Sequence, residues 1–342
     1  MSLSRKKIKI IFLLVVGLIF LYQICVISSA QEIRLIFGAC TDPQSSDYPG
    51  QVLTGEIGSK GIPGAKITII CPGGSQAAMA AVFNKEADVA AIDDCSAYEY
   101  IHHMGAWEGK STPNNIRVLN LRDLSYNPIA VRANSDIYQV SDLEGRKVFL
   151  GYSGTTCEGN ARLAIVKALG INVDILVGSL SDGVEAMKNR RVEAFTKTVA
   201  GNKVDATHID IMTSTPLRFI GFTWEEVEKI QSKSPWLLYR ELPKGWFPSM
   251  PDQEAFIANS VIRFVMCRDD FPEEYAYNWT KSIVENWEKI VEVAPSQGSV
   301  NPLDCPDFAS NVRQLYLHPG AIRYYREMGI EIPEAVIPPE MK

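Results

Sequence analysis

Histidine is scarce in this chain, four residues in 342, and the seven cysteines include no Cys-x-x-Cys pair. The spacings that build zinc sites are therefore missing, and neither a metal nor a cofactor is expected. Gly-x-Ser-x-Gly, Gly-x-x-x-x-Gly-Lys and the dinucleotide-binding glycine fingerprint are absent too. That removes the common signatures of a serine hydrolase, a P-loop NTPase and a dehydrogenase. Positive charge is in deficit: 34 Lys and Arg face 40 Asp and Glu, a net charge of −6. A chain of that sign is a poor partner for nucleic acid or an anionic membrane surface.

One long apolar run is present, at the start. Arg5, Lys6, Lys7 and Lys9 precede the apolar stretch 10–27, and Ser28-Ser29-Ala30 supplies the small residues that a signal peptidase reads. A run of about 18 residues approaches the span of a bilayer, but no basic stop-transfer cluster follows it. Residues 1–30 are expected as a cleaved signal peptide delivering a periplasmic chain, with a retained membrane anchor as the alternative. Cleavage removes four positive charges and no negative ones, so −6 becomes −10.

The rest of the chain alternates short β-branched runs with helical ones. Strands are expected at 33–37, 65–71, 89–92, 117–121 and 129–132, then at 148–150, 175–177, 192–196 and 217–221. Helices fall between them, which is the order of a mostly parallel sheet flanked by helices, built twice. After 224 the pattern changes, and 256–263 and 265–267 read as strands returning to the first unit. Helix 273–291 carries Tyr275, Trp279, Ile283 and Trp287 at four-residue spacing, a stripe that reads as core. His318 reads as structural. Asp93 and Asp94 are either an acid pair or a solvated strand end.

Two strand–turn–helix junctions attract attention, because a helix start presents free N–H groups at the positive end of its dipole. In 147–170 the turn holds Gly151, Ser153, Gly154, Thr155 and Thr156, the helix begins near Cys157, and Gly170 is a natural stop. Thr155 and Glu158 also have the spacing of a capping box, so anion cradle and self-capping both stand. In 65–84 the turn is Pro72-Gly73-Gly74-Ser75-Gln76. Ser75 reads as the N-cap, and no acidic residue follows in the first turn. This is the better anion site. In such sheets a ligand sits beyond the carboxyl ends of the strands.

The ordered motifs resemble the TAXI family of TRAP-transporter solute receptors. Asp47-Tyr48-Pro49 is similar to that family's first-loop Tyr-Pro. Gly74-Ser75 with Lys85-Glu86-Ala87-Asp88-Val89-Ala90 resembles its Gly-Ser helix start and downstream Gly-Glu-Ala-Asp. Asp142-Leu143-Glu144-Gly145-Arg146-Lys147-Val148, the stretch from Gly154 to Arg162, and His318-Pro319-Gly320-Ala321 with Tyr324-Tyr325 complete the match across nearly the whole mature chain. The resemblance implies a two-lobe type II periplasmic binding-protein fold, each lobe a mostly parallel sheet with flanking helices and a ligand cleft between them. It implies lobe I at 31–127 and 245–342, lobe II at 128–244, and no catalysis. The partners implied are a small carboxylate-containing solute, an organic acid or amino acid, and TRAP membrane subunits; the receptor itself is expected as a monomer. Ligand contacts are expected from Tyr48, Gly74, Ser75, Gln76 and Asp93 on lobe I and from Gly154, Thr155, Thr156 and Cys157 on lobe II. Ser75 and the 75–77 amides would hold the carboxylate, and Tyr48 would cover the solute.

The chain departs from the family at Cys40-Thr41-Asp42-Pro43, where a glycine run is usual, and at Ala78, Asp93, Thr155, Thr156 and Cys157. An added Asp93 disfavours a dianion unless a cation is paired with it. Two other readings share the residues: a same-fold receptor for an ABC importer or a membrane sensor, and an exported enzyme using Asp93 and Cys157. Six cysteines remain after residue 30, and export makes disulfides the expectation, two of Cys40, Cys71 and Cys95 pairing and Cys267 joining Cys305.

Overall fold

The computed structural model describes residues 33–41, 43, 47–152 and 155–342, and the side chains of 156–158 are not described. The leader at 1–30 and the contact expected at Gly154 lie outside the described residues.

The first parallel strands are β1 (Ile33–Gly38), β2 (Ala65–Ile70) and β3 (Val89–Asp93). Next come β4 (Ile116–Asn127), β5 (Ile129–Arg132), β6 (Lys147–Phe149) and β7 (Asp174–Ile175). The short strands β8 (Ala194–Thr196), β9 (Val199–Ala200) and β10 (Leu217–Ile220) follow, then β11 (Leu238–Leu242), β12 (Phe256–Arg268) and β13 (Tyr316–Leu317). One sheet runs β13-β4-β12-β3-β1-β2, with β11 on β12 and β9 on β4; the other runs β10-β5-β8-β6-β7. Both sheets are mixed. β1 pairs in parallel with β2 and β3, whereas β12 lies antiparallel between β3 and β4. In the second sheet β6 is parallel to β7 and β8, and β5 is antiparallel to β8 and β10.

The chain passes between the sheets along the long strands. β4 runs into β5 through Pro128, which lacks an N–H and so interrupts the ladder without leaving a buried donor. On the way back Phe222 bridges Ile257, its N–H donating to the Ile257 carbonyl at 3.0 Å. A Cβ at neighbouring Gly221 would sit 2.6 Å from that same oxygen, so only glycine allows this approach.

Alternation along the second sheet explains its two buried faces. Phe149 and Phe195 join the large core that also holds Phe37 and Trp279, while their neighbours Val148, Leu150 and Ala194 pack with Ile165, Ile230 and Leu237 in a second cluster. The aromatic stripe is core, as its spacing suggests: Trp279 and Ile283 are fully buried. Trp279 stacks on Phe37 at 6.1 Å and donates Nε1 to Asn120 Oδ1 at 3.2 Å. Its helix is shorter than expected, Glu273–Glu285, and breaks at Asn286 before Trp287–Val293. His318 caps the last helix, accepting from Gly320 N at 3.1 Å with its other nitrogen 2.9 Å from the Phe271 carbonyl.

The disulfide expectation fails. Cys40, Cys71, Cys95, Cys267 and Cys305 are free thiols. Cys71 is exposed and donates Sγ to the Thr41 carbonyl at 2.9 Å, whereas Cys40 is buried. Cys267 lies in the centre of β12 with Sγ against the Arg117 carbonyl, and Cys305 opens a separate helix with its thiol by the Tyr325 hydroxyl. Each thiol is occupied by its own strand or helix environment.

Candidate functional site

Four strand ends and the middle of a fifth strand converge on a small cavity between the sheets. Cys40 and Thr41 follow β1, Gly74 and Ser75 follow β2, and Gly151, Tyr152 and Thr155 follow β6. Thr196, Lys197 and Thr198 end β8, and Arg263 reaches in from the middle of β12. The cavity volume is about 30 Å³, room for water but not for an organic solute. A larger hollow of about 720 Å³ lies along the outer edge of β10; it is an open groove away from these strand ends.

Glycine shapes the first wall. Gly73 and Gly74 have φ of 96° and 105°, left-handed values that turn the chain from β2 straight into the helix Ser75–Phe83. Gly74, not Ser75, is the N-cap; it offers no side-chain cap, and no acidic residue sits in the first turn. Ser75 is therefore the first helical residue, buried, with its hydroxyl on the cavity. The second junction differs. Thr155 donates Oγ1 back to the Tyr152 carbonyl at 2.7 Å. Its proposed capping partner, Glu158, is one of the undescribed side chains. The helix starts at Thr156 and turns into a π-helix over Arg162–Leu169 before Gly170 ends it at φ 74°.

The cations on the cavity, Arg263 and Lys197, and Arg122 behind it come already matched to carboxylates. Arg263 Nη1 donates to Asp47 Oδ2 at 3.1 Å and lies 4.0 Å from Asp123 Oδ1. Arg122 Nη1 is 3.3 Å from Asp123 Oδ2, an ion pair without hydrogen-bond alignment, since neither atom has a hydrogen-bond partner. Lys197 Nζ is 3.8 Å from Asp205 Oδ2. Burial alone would raise Asp47 and Asp205; the Arg263 guanidinium holds Asp47 below the usual carboxylate range, and Lys197 with the Thr207 hydroxyl brings Asp205 to about 2. Burial pushes the Cys40 thiol up, against the pull of Arg122 and Arg263. The Thr196 hydroxyl is buried on the cavity wall with no hydrogen-bond partner.

The expected contacts divide. Gly74, Ser75 and Thr155 line the cavity, and the side chains of Thr156 and Cys157 lie outside the described residues. Tyr48, Gln76 and Asp93 do not line it. Tyr48 opens the helix Tyr48–Lys60 and packs on the large core. Gln76 donates Nε2 to Glu99 Oε2 at 3.1 Å and faces Gly159 across the cleft. Asp93 is turned into its own helix, accepting Ser96 N at 2.7 Å, although its charge still acts on Cys40. Asp93, Asp94 and Cys95 have ligand atoms within 4.8 Å of one another, a metal-like grouping. Yet Asp93 and Asp94 each already accept a backbone N–H, and burial raises both Asp94 and the Cys95 thiol.

Lys197, Arg263 and Thr196 escaped the sequence reading. Lys197 follows the apolar run ending at Phe195, so the strand-end criterion that picked Ser75 would have found it. Arg263 is a cation in the middle of a strand buried along its whole length, a placement that requires partners.

The profile of the NMT1-like family matches residues 44–329. Solved structures share the fold at low identity. The periplasmic binding protein BugD superposes with a TM-score of 0.55 at 12% identity, over 88% of this chain and 99% of that one. A structure described as a periplasmic transporter gives 0.53 at 12% identity, over 88% and 97%. A TctC solute binding protein from Polaromonas gives 0.50 at 11% identity, over 88% and 99%. The α/β architecture is thus that of periplasmic binding proteins.

Proposed function

The chain belongs to the NMT1-like family, and we propose that it is an exported receptor that captures a small organic acid or amino acid between its two sheets. Residues 1–30 act as the export signal. The lobes are 31–127 with 245–342, and 128–244, and delivery is to a TRAP-type membrane transporter, the partner that the ordered motifs from Asp47 to Tyr325 favour. The observation that carries the reading is the meeting of Lys197 and Arg263 with the uncapped helix start at Ser75. Backbone amides and cations that converge on one point form a carboxylate site.

A cavity of about 30 Å³ is too small for an organic solute, so capture needs the lobes to part. The two crossings, at Pro128 and at Gly221, are the places where rotation is absorbed. Binding then shifts the population toward the closed form.

The test is a thermal-shift and calorimetric screen with organic acids and amino acids. A binder at 100 times its Kd adds about 2.7 kcal/mol of stability. Lys197→Met should weaken that binder at least tenfold while the protein stays folded. If no carboxylate shifts the melting temperature, the receptor reading falls. Delivery is tested separately, by solute uptake into vesicles carrying TRAP membrane subunits with and without the receptor.

A further inference from the structure

Thr196 stands on the wall of two cavities. One is the cavity at Ser75 and Lys197. The other lies where the chain crosses between the sheets, against Asn127 and Asn259 of the crossing strands and against Ile129, Ala164, Ile165 and Phe222. Thr196 is buried, and its hydroxyl has no hydrogen-bond partner. An unpaired hydroxyl away from water is costly, and a native fold that keeps one calls for a reason.

The two cavities differ in chemistry. The first has Lys197, Arg263 and the uncapped helix start at Ser75. The second has no charged side chain on its wall. Its amides bond to one another: Asn127 and Asn160 both donate to Asn259 Oδ1, and Asn259 donates onward to the Leu238 carbonyl. The rest of its wall is hydrocarbon, from Ile129, Ala161, Ala164, Ile165 and Phe222. Ala164 and Ile165 belong to the π-helix Arg162–Leu169, a widened form that is frequent at functional sites. Because the lobes part to admit a solute, the closed volumes set no limit on its length; the wall chemistry does the selecting. A second carboxylate carried into the hydrocarbon part would meet no cation there.

Resting on the receptor reading above, we propose that the solute is a monocarboxylic acid with a polar group at carbon 2 and an aliphatic side chain. Its carboxylate meets the Lys197 and Ser75 end, its 2-substituent bonds to the Thr196 hydroxyl between the two cavities, and its side chain lies against Ile129, Ala164, Ile165 and Phe222. A threonine hydroxyl both donates and accepts, so an amino, a hydroxy or an oxo group satisfies it, and these three acids share the chemistry of the site.

Calorimetry on the wild-type protein tests this with leucine, 2-hydroxy-4-methylpentanoate and 4-methyl-2-oxopentanoate. Each is compared with the short acid bearing the same 2-substituent: alanine, lactate and pyruvate. The tightest of the branched acids identifies the 2-substituent. It should bind about tenfold tighter, or more, than its short counterpart, from burial of the extra carbons. It should exceed 4-methylpentanoate, which lacks a 2-substituent, by about tenfold, and glutamate and 2-oxoglutarate by at least as much. Ala164→Phe, which fills the hydrocarbon part, should weaken the branched acid about tenfold and leave the short one unchanged; if that protein does not fold, Ala164→Val makes the same comparison with a smaller loss. A short acid binding as tightly as its branched counterpart, a dicarboxylate binding tightest, 4-methylpentanoate matching the substituted acids, or a folded Ala164→Phe protein with full affinity for the branched acid would each overturn the assignment. Those results would leave the receptor reading intact, whereas silence from every carboxylate would remove both.

Discussion

Asn160 reaches from the helix Thr156–Ala161 to β12 and donates its Nδ2 to Asn259 Oδ1 at 2.7 Å. The same oxygen accepts Asn127 Nδ2 at 2.8 Å, and Asn259 passes its own Nδ2 to the Leu238 carbonyl at 2.9 Å. One side chain thus ties the crossing strands to the helix that forms the second wall of the cavity. Asn160→Ala removes one tie and leaves the other. It should cost about 1 kcal/mol of stability and expose the cleft more often. Limited proteolysis in the absence of solute should speed up, and saturating solute should restore protection. Equal cleavage rates for the two proteins would show that this bond does not hold the lobes together.

Gly58 and Trp279 make a tighter demand. A Cβ at Gly58 would fall 2.4 Å from the indole ring, with no room to retreat because Trp279 is fully buried and stacked on Phe37. Gly58→Ala should destabilise by about 3 kcal/mol, the upper end of overpacking costs, although alanine is the better helix former. A urea midpoint equal to that of the wild type would mean that the ring can shift. Gly73→Ala is a useful contrast. Nothing lies within 4 Å of its Cβ, yet its φ of 96° makes any side chain strained.

What could be read in advance follows from how local each cause is. The strand–turn–helix at Gly73-Gly74-Ser75 was legible because glycine and a missing first-turn acid act within one turn of helix. The core role of Trp279 was legible from spacing alone. Arg263 was not, because its partners Asp47 and Asp123 lie 216 and 140 positions away along the chain and only the sheet brings them together. Asp93 shows a local cause instead. A carboxylate at a strand end looks like a ligand contact, and three residues on it also finds the N–H of Ser96 and caps its own helix. The mixed sheets were hidden as well, since β12 inserts antiparallel between β3 and β4 from far along the sequence.

The free thiols lead to a chemical test. Cys71 is exposed, while burial raises Cys40, Cys95, Cys267 and Cys305 above the ordinary thiol range. In a Cys157→Ser background, a thiol reagent at pH 8 should modify Cys71 first. The four buried thiols should react only as fast as the protein unfolds. Reducing agent should leave the urea midpoint unchanged. A fall in that midpoint on reduction would mean that two of these cysteines are joined after all.

The acid limb of stability turns on His208. Its ring is fully buried between the edges of Phe195 and Phe219, at 5.5 and 5.4 Å, and neither nitrogen has a hydrogen-bond partner. Burial lowers its pKa to about 4, although Asp205 pulls it up and Lys197 adds to the lowering. The fold therefore holds the neutral form. Stability is intact above about 6.5, where the unfolded chain is also neutral, and is lost as the pH falls from there toward 4, because only the unfolded state takes the proton. Glu99 works in the other direction. Burial, with the Asp93 charge second, raises it to about 7, so its ionised form strains the fold at high pH and is relieved as the pH drops through 7. The two effects oppose each other in the wild type, and single variants separate them. His208→Leu should remove the loss between 6.5 and 4, worth about 3 kcal/mol at pH 4 at 1.36 kcal/mol per pKa unit. Glu99→Gln should stabilise at pH 8 and match the wild type near pH 4.5. Urea midpoints of the three proteins across pH 4 to 8 check both signs, and a His208→Leu profile parallel to the wild type would show that His208 is not held neutral by the fold.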